Sequence, residues 1–186
     1  MSASTFIPTA GSAASVYMDT WQTINSADPE EARRSLSRAC GSSRWVKRML
    51  DLRPFAGHAD LLRAARQAWD DLGEDDWREA FSHHPQIGDR AALERRFPAS
   101  HDLSAREQAG VGAASSDVLD QLAAANQEYL ARFGYIFIVC ASGRSAEEML
   151  GILRNRLQND PAAEIRIAAR EQAAITALRL ANPAEG

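Results

Sequence analysis

The chain has 186 residues, 45% hydrophobic and 25% charged, which suits one soluble domain whose core needs no disulfide or metal staple. Its formal net charge of −4, from 21 basic and 25 acidic residues, offers no positive excess for nucleic acid. The longest apolar run, Tyr135 to Ala141, is too short to cross a bilayer, and two cysteines make no disulfide framework.

Residues 1–14 are small and polar and are expected to form a flexible lead to one helical domain over 15–181. Residues 1–11 lack the basic start and apolar core of a secretion signal, so a reducing, cytoplasmic setting is expected. A weak helical pattern runs from Ser15 to Ile24. Asp28-Pro29-Glu30-Glu31 is a strong helix start, with Ala32, Leu36 and Ala39 as its apolar stripe and Gly41 as its stop. Trp45, Val46, Met49 and Leu50 mark the next helix, and Leu61, Ala65, Ala68, Trp69 and Leu72 another. Trp77, Ala80 and Phe81 carry a helix into His84-Pro85.

Ser104 to Val111 starts a further helix that Gly110 and Gly112 weaken, and Leu119 to Phe133 forms a separate one closed by Gly134. Ser145 and Glu148 fit a capping box before Met149, Leu150 and Leu153, and Pro161 opens the last helix. Only 135–140 reads as a strand, and one strand makes no sheet. The expected class is therefore all-α, a single multi-helix domain with one buried extended segment over about 135–141.

Three segments carry candidate chemistry. Pro85 pushes His84 out of α geometry at a helix end, and histidine is the side chain suited to proton transfer near neutral pH. The bland reading is a histidine favoured by the helix dipole. His83 reads as a surface or packing residue. The adjacent pair does not suggest a metal site, because neighbouring helix side chains diverge by about 100°.

Ser104-Ala105-Arg106-Glu107-Gln108 is a capping box, or else places Glu107 and Gln108 in the pocket entered by His84. A carboxylate beside an imidazole sets its tautomer and protonation, giving an acid–base pair. After the apolar segment, Ser142-Gly143-Arg144 offers backbone N–H groups and a guanidinium to an anion, or is an ordinary surface turn.

Taken in order, these pieces resemble the 2-oxo-4-hydroxy-4-carboxy-5-ureidoimidazoline (OHCU) decarboxylase family of urate degradation. The matching residues begin with Trp45-Val46, Arg53-Pro54-Phe55 and His84-Pro85-Gln86-Ile87-Gly88. Ser104-x-x-Glu107-Gln108 and Asn126-x-x-Tyr129-x-x-Arg132-Phe133-Gly134-Tyr135-x-Phe137-Ile138 follow. Ser142-Gly143-Arg144-Ser145, Arg156-Leu157-x-Asn159, Glu164 and Arg179-Leu180 complete a likeness over about residues 28–181.

The resemblance implies a cofactor-free, metal-free decarboxylase with a helical fold, commonly a homodimer, acting on OHCU to give S-allantoin and CO₂. It implies His84 and Glu107 as catalytic residues. Ser104 and Gln108 would be pocket hydrogen-bonders and Pro85 would shape the His84 turn, the backbone of Phe137 and Ile138 would meet the substrate ring, and Arg144, or else Arg156, would anchor the substrate. A lyase for another small heterocyclic acid and a non-catalytic helical ligand-binding module remain the alternatives.

Overall fold

Helix starts follow from cap chemistry. Asp28 accepts a hydrogen bond from the Glu31 N–H at 2.9 Å, with Pro29 at the first position of its helix. Ser42 accepts from the Trp45 N–H at 3.3 Å. Ser145 and Glu148 close a reciprocal box, Glu148 N–H to the Ser145 hydroxyl at 3.2 Å and Ser145 N–H to the Glu148 carboxylate at 2.8 Å.

A computed structural model describes residues 19–84 and 105–181, with 105–116 described by backbone alone. Within them, in chain order, lie α1 (Thr20–Ser26), α2 (Pro29–Ala39), α3 (Ser43–Asp51) and α4 (His58–Asp70). They are followed by α5 (Glu74–Ser82), α6 (Ala105–Phe133), α7 (Ala146–Arg156) and α8 (Pro161–Ala181). There is no strand among the described residues, so the class is all-α. The flexible lead expected at 1–14 lies outside the described residues.

The two helices expected on either side of Gly110 and Gly112 are one, α6, of 29 residues. A glycine inside a helix costs up to about 1 kcal/mol relative to alanine. Burial of Leu119, Leu122, Tyr129 and Phe133 on the same helix offsets that cost. Gly41 also differs from expectation. The backbone leaves α2 through Cys40 in an extended conformation, and Gly41 does not adopt a positive φ. Its lack of a side chain serves a different purpose, described below.

Helix α8 packs on α2, α4 and α5, while α6 pairs with α7. Trp45, Phe81, Tyr129 and Phe137 are among the largest fully buried side chains. Buried indoles are satisfied: Trp69 Nε1 donates to the Ala169 carbonyl on α8 at 3.1 Å, and Trp45 Nε1 to the Ala65 carbonyl at 3.0 Å.

Between α6 and α7 the chain crosses the core without regular structure, burying Tyr135, Phe137, Ile138 and Val139. Gly134 and Gly143 flank this segment at φ +74° and +73°, torsions that strain any residue with a Cβ. Its backbone groups find side-chain partners on neighbouring helices. Arg156 Nη1 donates to the Ile138 carbonyl at 2.7 Å, and the Glu171 carboxylate accepts from the Cys140 N–H at 2.7 Å.

Candidate functional site

The last turn of α5 tightens as it ends: His83 N–H donates to the Ala80 carbonyl at 3.3 Å and His84 N–H to the Phe81 carbonyl at 3.1 Å. His83 lies against Gly41, where an added Cβ would fall 2.5 Å from both Cβ and Cγ of the imidazole-bearing side chain. Only a glycine at 41 lets the end of α5 settle this close to the turn after α2. That contact gives His83 its packing role and fixes the backbone next to His84.

His84 is half-buried, and its Nε2 lies 2.6 Å from Oε1 of Gln172 on α8. Gln172 is wholly buried and passes its amide N–H to the Thr176 hydroxyl, one helical turn on, at 3.2 Å. Burial holds the His84 pKa below the ordinary histidine value. The Gln172 hydrogen bond opposes that shift, while the charges of Arg179 and His83 add to it. The imidazole is therefore neutral at neutral pH.

Arg179 is fixed by donating from Nη1 to the Arg38 and Ala39 carbonyls at 3.2 and 3.4 Å. The Cys40 thiol nearby is fully buried, and desolvation pushes its pKa up to about 11, so it is no thiolate nucleophile.

The other residues singled out by sequence fall in different places. Pro85 and Ser104 lie outside the described residues. Glu107 and Gln108 sit in the first turn of α6, their side chains outside the described part. Phe137 and Ile138 are buried in the crossing segment, and the Ile138 carbonyl is engaged by Arg156.

Arg144 is exposed in the turn after that segment, where its Nε donates to the Cys140 carbonyl at 3.1 Å. Arg156 is buried and committed. It binds the Glu164 carboxylate through Nε at 2.7 Å and Nη2 at 2.5 Å, and its guanidinium lies 4.7 Å from the Phe137 ring centroid. With Nη1 on Ile138, little of this arginine is left for a ligand.

Sequence reasoning did not single out Gln172 and Thr176, and it gave Arg179 no role beyond the family pattern. Their signal is a polar stripe at i, i+4 and i+7 on one face of an otherwise Ala- and Ile-rich helix. Helix α8 thus holds both halves of the region: Glu171 grips the crossing segment, and Gln172 grips the histidine.

Residues 25–181 match the family described as OHCU decarboxylase, most of the chain. The chain belongs to the OHCU decarboxylase family. It is 38% identical over 144 residues to the uric acid degradation bifunctional protein TTL of Arabidopsis thaliana, covering 77% of this chain and 44% of that one. It is 26% identical to the uric acid degradation bifunctional protein PucL of Bacillus subtilis, of which it spans only 33%.

Another relative, the 2-oxo-4-hydroxy-4-carboxy-5-ureidoimidazoline decarboxylase of Haloferax volcanii, is 25% identical and covered over 95% of its length. A crystal structure of OHCU decarboxylase in the presence of (S)-allantoin superposes with a TM-score of 0.65 at 35% identity, over 86% of this chain and 100% of that one. An (S)-allantoin synthase structure at 17% identity and TM-score 0.60 shares the fold.

Among the described residues no helix is long and apolar enough to cross a membrane, and no three His, Cys, Asp or Glu side chains gather as a metal-binding group.

Proposed function

We propose that this protein decarboxylates OHCU to S-allantoin and CO₂, with His84 and Glu107 as its acid–base pair. The observation that carries the reading is the environment of His84: a neutral, half-buried imidazole at a helix end, with one nitrogen hydrogen-bonded to the protein, in a chain of this family.

The substrate chemistry requires no electron sink from outside. Its carboxylate sits on a ring carbon that bears a hydroxyl and adjoins a C=N bond. As the bond to CO₂ breaks, its electron pair forms a C=C bond to the neighbouring carbon while the C=N nitrogen takes up a proton. The resulting enol returns to a carbonyl when its O–H gives up a proton and the neighbouring carbon gains one on a single face. His84 takes the hydroxyl proton, and Glu107 stabilises the imidazolium so formed. Ser104, Gln108 and Pro85 shape the pocket, and the backbone of Phe137 and Ile138 faces the ring.

Arg144 anchors the substrate carboxylate. Its Nε is on the Cys140 carbonyl, so this exposed guanidinium keeps its two outer nitrogens as donors for an anion. A second reading gives the anchoring charge to Arg179, favoured by its electrostatic effect on His84. Raised KM in Arg144→Ala with an unaltered value in Arg179→Ala selects the first; the reverse selects the second. The chain acts as a homodimer in the cytoplasm.

The decisive experiment generates OHCU from urate in situ and follows circular dichroism. Optically active S-allantoin accumulates with wild-type protein, and His84→Ala slows it about 10²–10⁴-fold. A racemate formed at the spontaneous rate by folded wild-type protein would overturn the proposal.

A further inference from the structure

We infer that Gln172, locked by Thr176, is a positioning residue that fixes His84 as the Nε2–H tautomer and leaves Nδ1 bare as the atom that receives the substrate proton. The inference rests on the decarboxylase reading above. It follows from the donors and acceptors that His84, Gln172 and Thr176 possess.

A glutamine amide has one acceptor end and one donor end. Here one end meets His84 Nε2 at 2.6 Å and the other meets Thr176 Oγ1 at 3.2 Å. Gln172 is 0% exposed and Thr176 4%, so water cannot readily substitute for either contact. The amide N–H₂ end donates to the Thr176 oxygen, which leaves the carbonyl end to face His84. Because a carbonyl donates nothing, the proton of this short contact belongs to the imidazole, on Nε2. A neutral imidazole carries one N–H, so Nδ1 has none.

This assignment sharpens the catalytic pair. Before the reaction Nδ1 has no proton to give Glu107, so the carboxylate does not orient the resting imidazole through that nitrogen. It meets the imidazolium after Nδ1 has accepted the substrate hydroxyl proton. Orientation in the resting enzyme is the task of Gln172, 88 residues away in sequence.

The test combines spectroscopy and kinetics on the whole protein. Histidine labelled with ¹⁵N, its His84 signals assigned by loss in His84→Ala, should show Nε2 protonated and Nδ1 bare in wild type. Gln172→Leu keeps the bulk and removes the acceptor. It should mix the tautomers and lower kcat about 10–100-fold, less than loss of a whole acid–base group, with KM within about threefold. Gln172→Glu places a carboxylate against Nε2, raises the His84 pKa and should move the acid limb of kcat/KM to higher pH, which a contact without effect on the imidazole would not do. Thr176→Val, which frees the amide to turn, should also mix the tautomers, and it serves if Gln172→Leu does not fold.

A resting His84 protonated on Nδ1, or wild-type tautomer and kcat in Gln172→Leu, would overturn the inference. Absence of S-allantoin formation by wild type sinks the decarboxylase reading instead, and the tautomer signal then still reports on the Gln172 contact.

Discussion

At the scale of single residues, His84 links burial to pH dependence. Its folded pKa lies below the ordinary value of 6.5. Below 6.5 the unfolded chain therefore binds a proton that the folded protein resists. The sign is fixed: stability is fully present above 6.5 and is lost as pH falls from there through the folded value. Urea titrations of wild type and His84→Asn should differ by a constant above pH 6.5 and diverge from that constant only below it. The acid limb of kcat/KM should likewise bend below 6.5, since the neutral imidazole is the base.

Gly41 offers an independent check on how that histidine is placed. Gly41→Ala puts a methyl group 2.5 Å from His83 and should cost about 1–3 kcal/mol while lowering kcat. Gly151→Ala, in open space on α7, should stabilise by about 0.5–1 kcal/mol. Equal effects in thermal melts of the two variants would refute the close approach. His84 was readable in the sequence because Pro85 marks it locally. Gln172 was not, because its partner is distant in the chain and the polar stripe it shares with Thr176 and Arg179 does not say which side chain it meets.

At the scale of elements, helices with chemical stops were legible. Asp28-Pro29 and the Ser145–Glu148 box open α2 and α7 as their residues suggested. Continuity through Gly110 and Gly112 was not legible, because burial along the C-terminal half of α6 outweighs local propensity. The apolar run after Gly134 was recognised as extended and buried. What holds it was hidden, since Arg156 looked like a possible substrate ligand.

In the fold Arg156, Glu164 and Tyr129 form one buried network, which the half-buried Asn159 joins. Arg156 and the Tyr129 hydroxyl both meet Glu164 Oε1, Asn159 donates to its Oε2 at 2.6 Å, and Arg156 also reaches the Ile138 carbonyl. Removing one charge leaves the other buried and uncompensated, at a cost of about 3–5 kcal/mol. Arg156→Met should therefore lower the urea midpoint strongly. If its main effect were raised KM in a protein of unaltered stability, the network would not be structural.

At the scale of the molecule, the described helices share one apolar core, with α8 joined to α2, α4 and α5, and α6 joined to α7. The Trp69–Ala169 hydrogen bond ties α4 directly to the helix that grips His84 and the crossing segment. Such sharing predicts cooperative loss of the site and the scaffold. The four tryptophans sample different elements: Trp21 lies on α1, Trp45 on α3, Trp69 on α4 and Trp77 on α5. Far-UV circular dichroism is weighted instead toward the long α6 and α8, of 29 and 21 residues. Tryptophan fluorescence and far-UV signals should therefore trace the same urea transition, with one midpoint and one slope. Arg156→Met should move both curves together, because the α6–α8 network and the α1–α5 tryptophans belong to the same core. Two separated transitions would mean that the half bearing the tryptophans unfolds independently of the half bearing the buried arginine. Helix α8 would then fail to couple them.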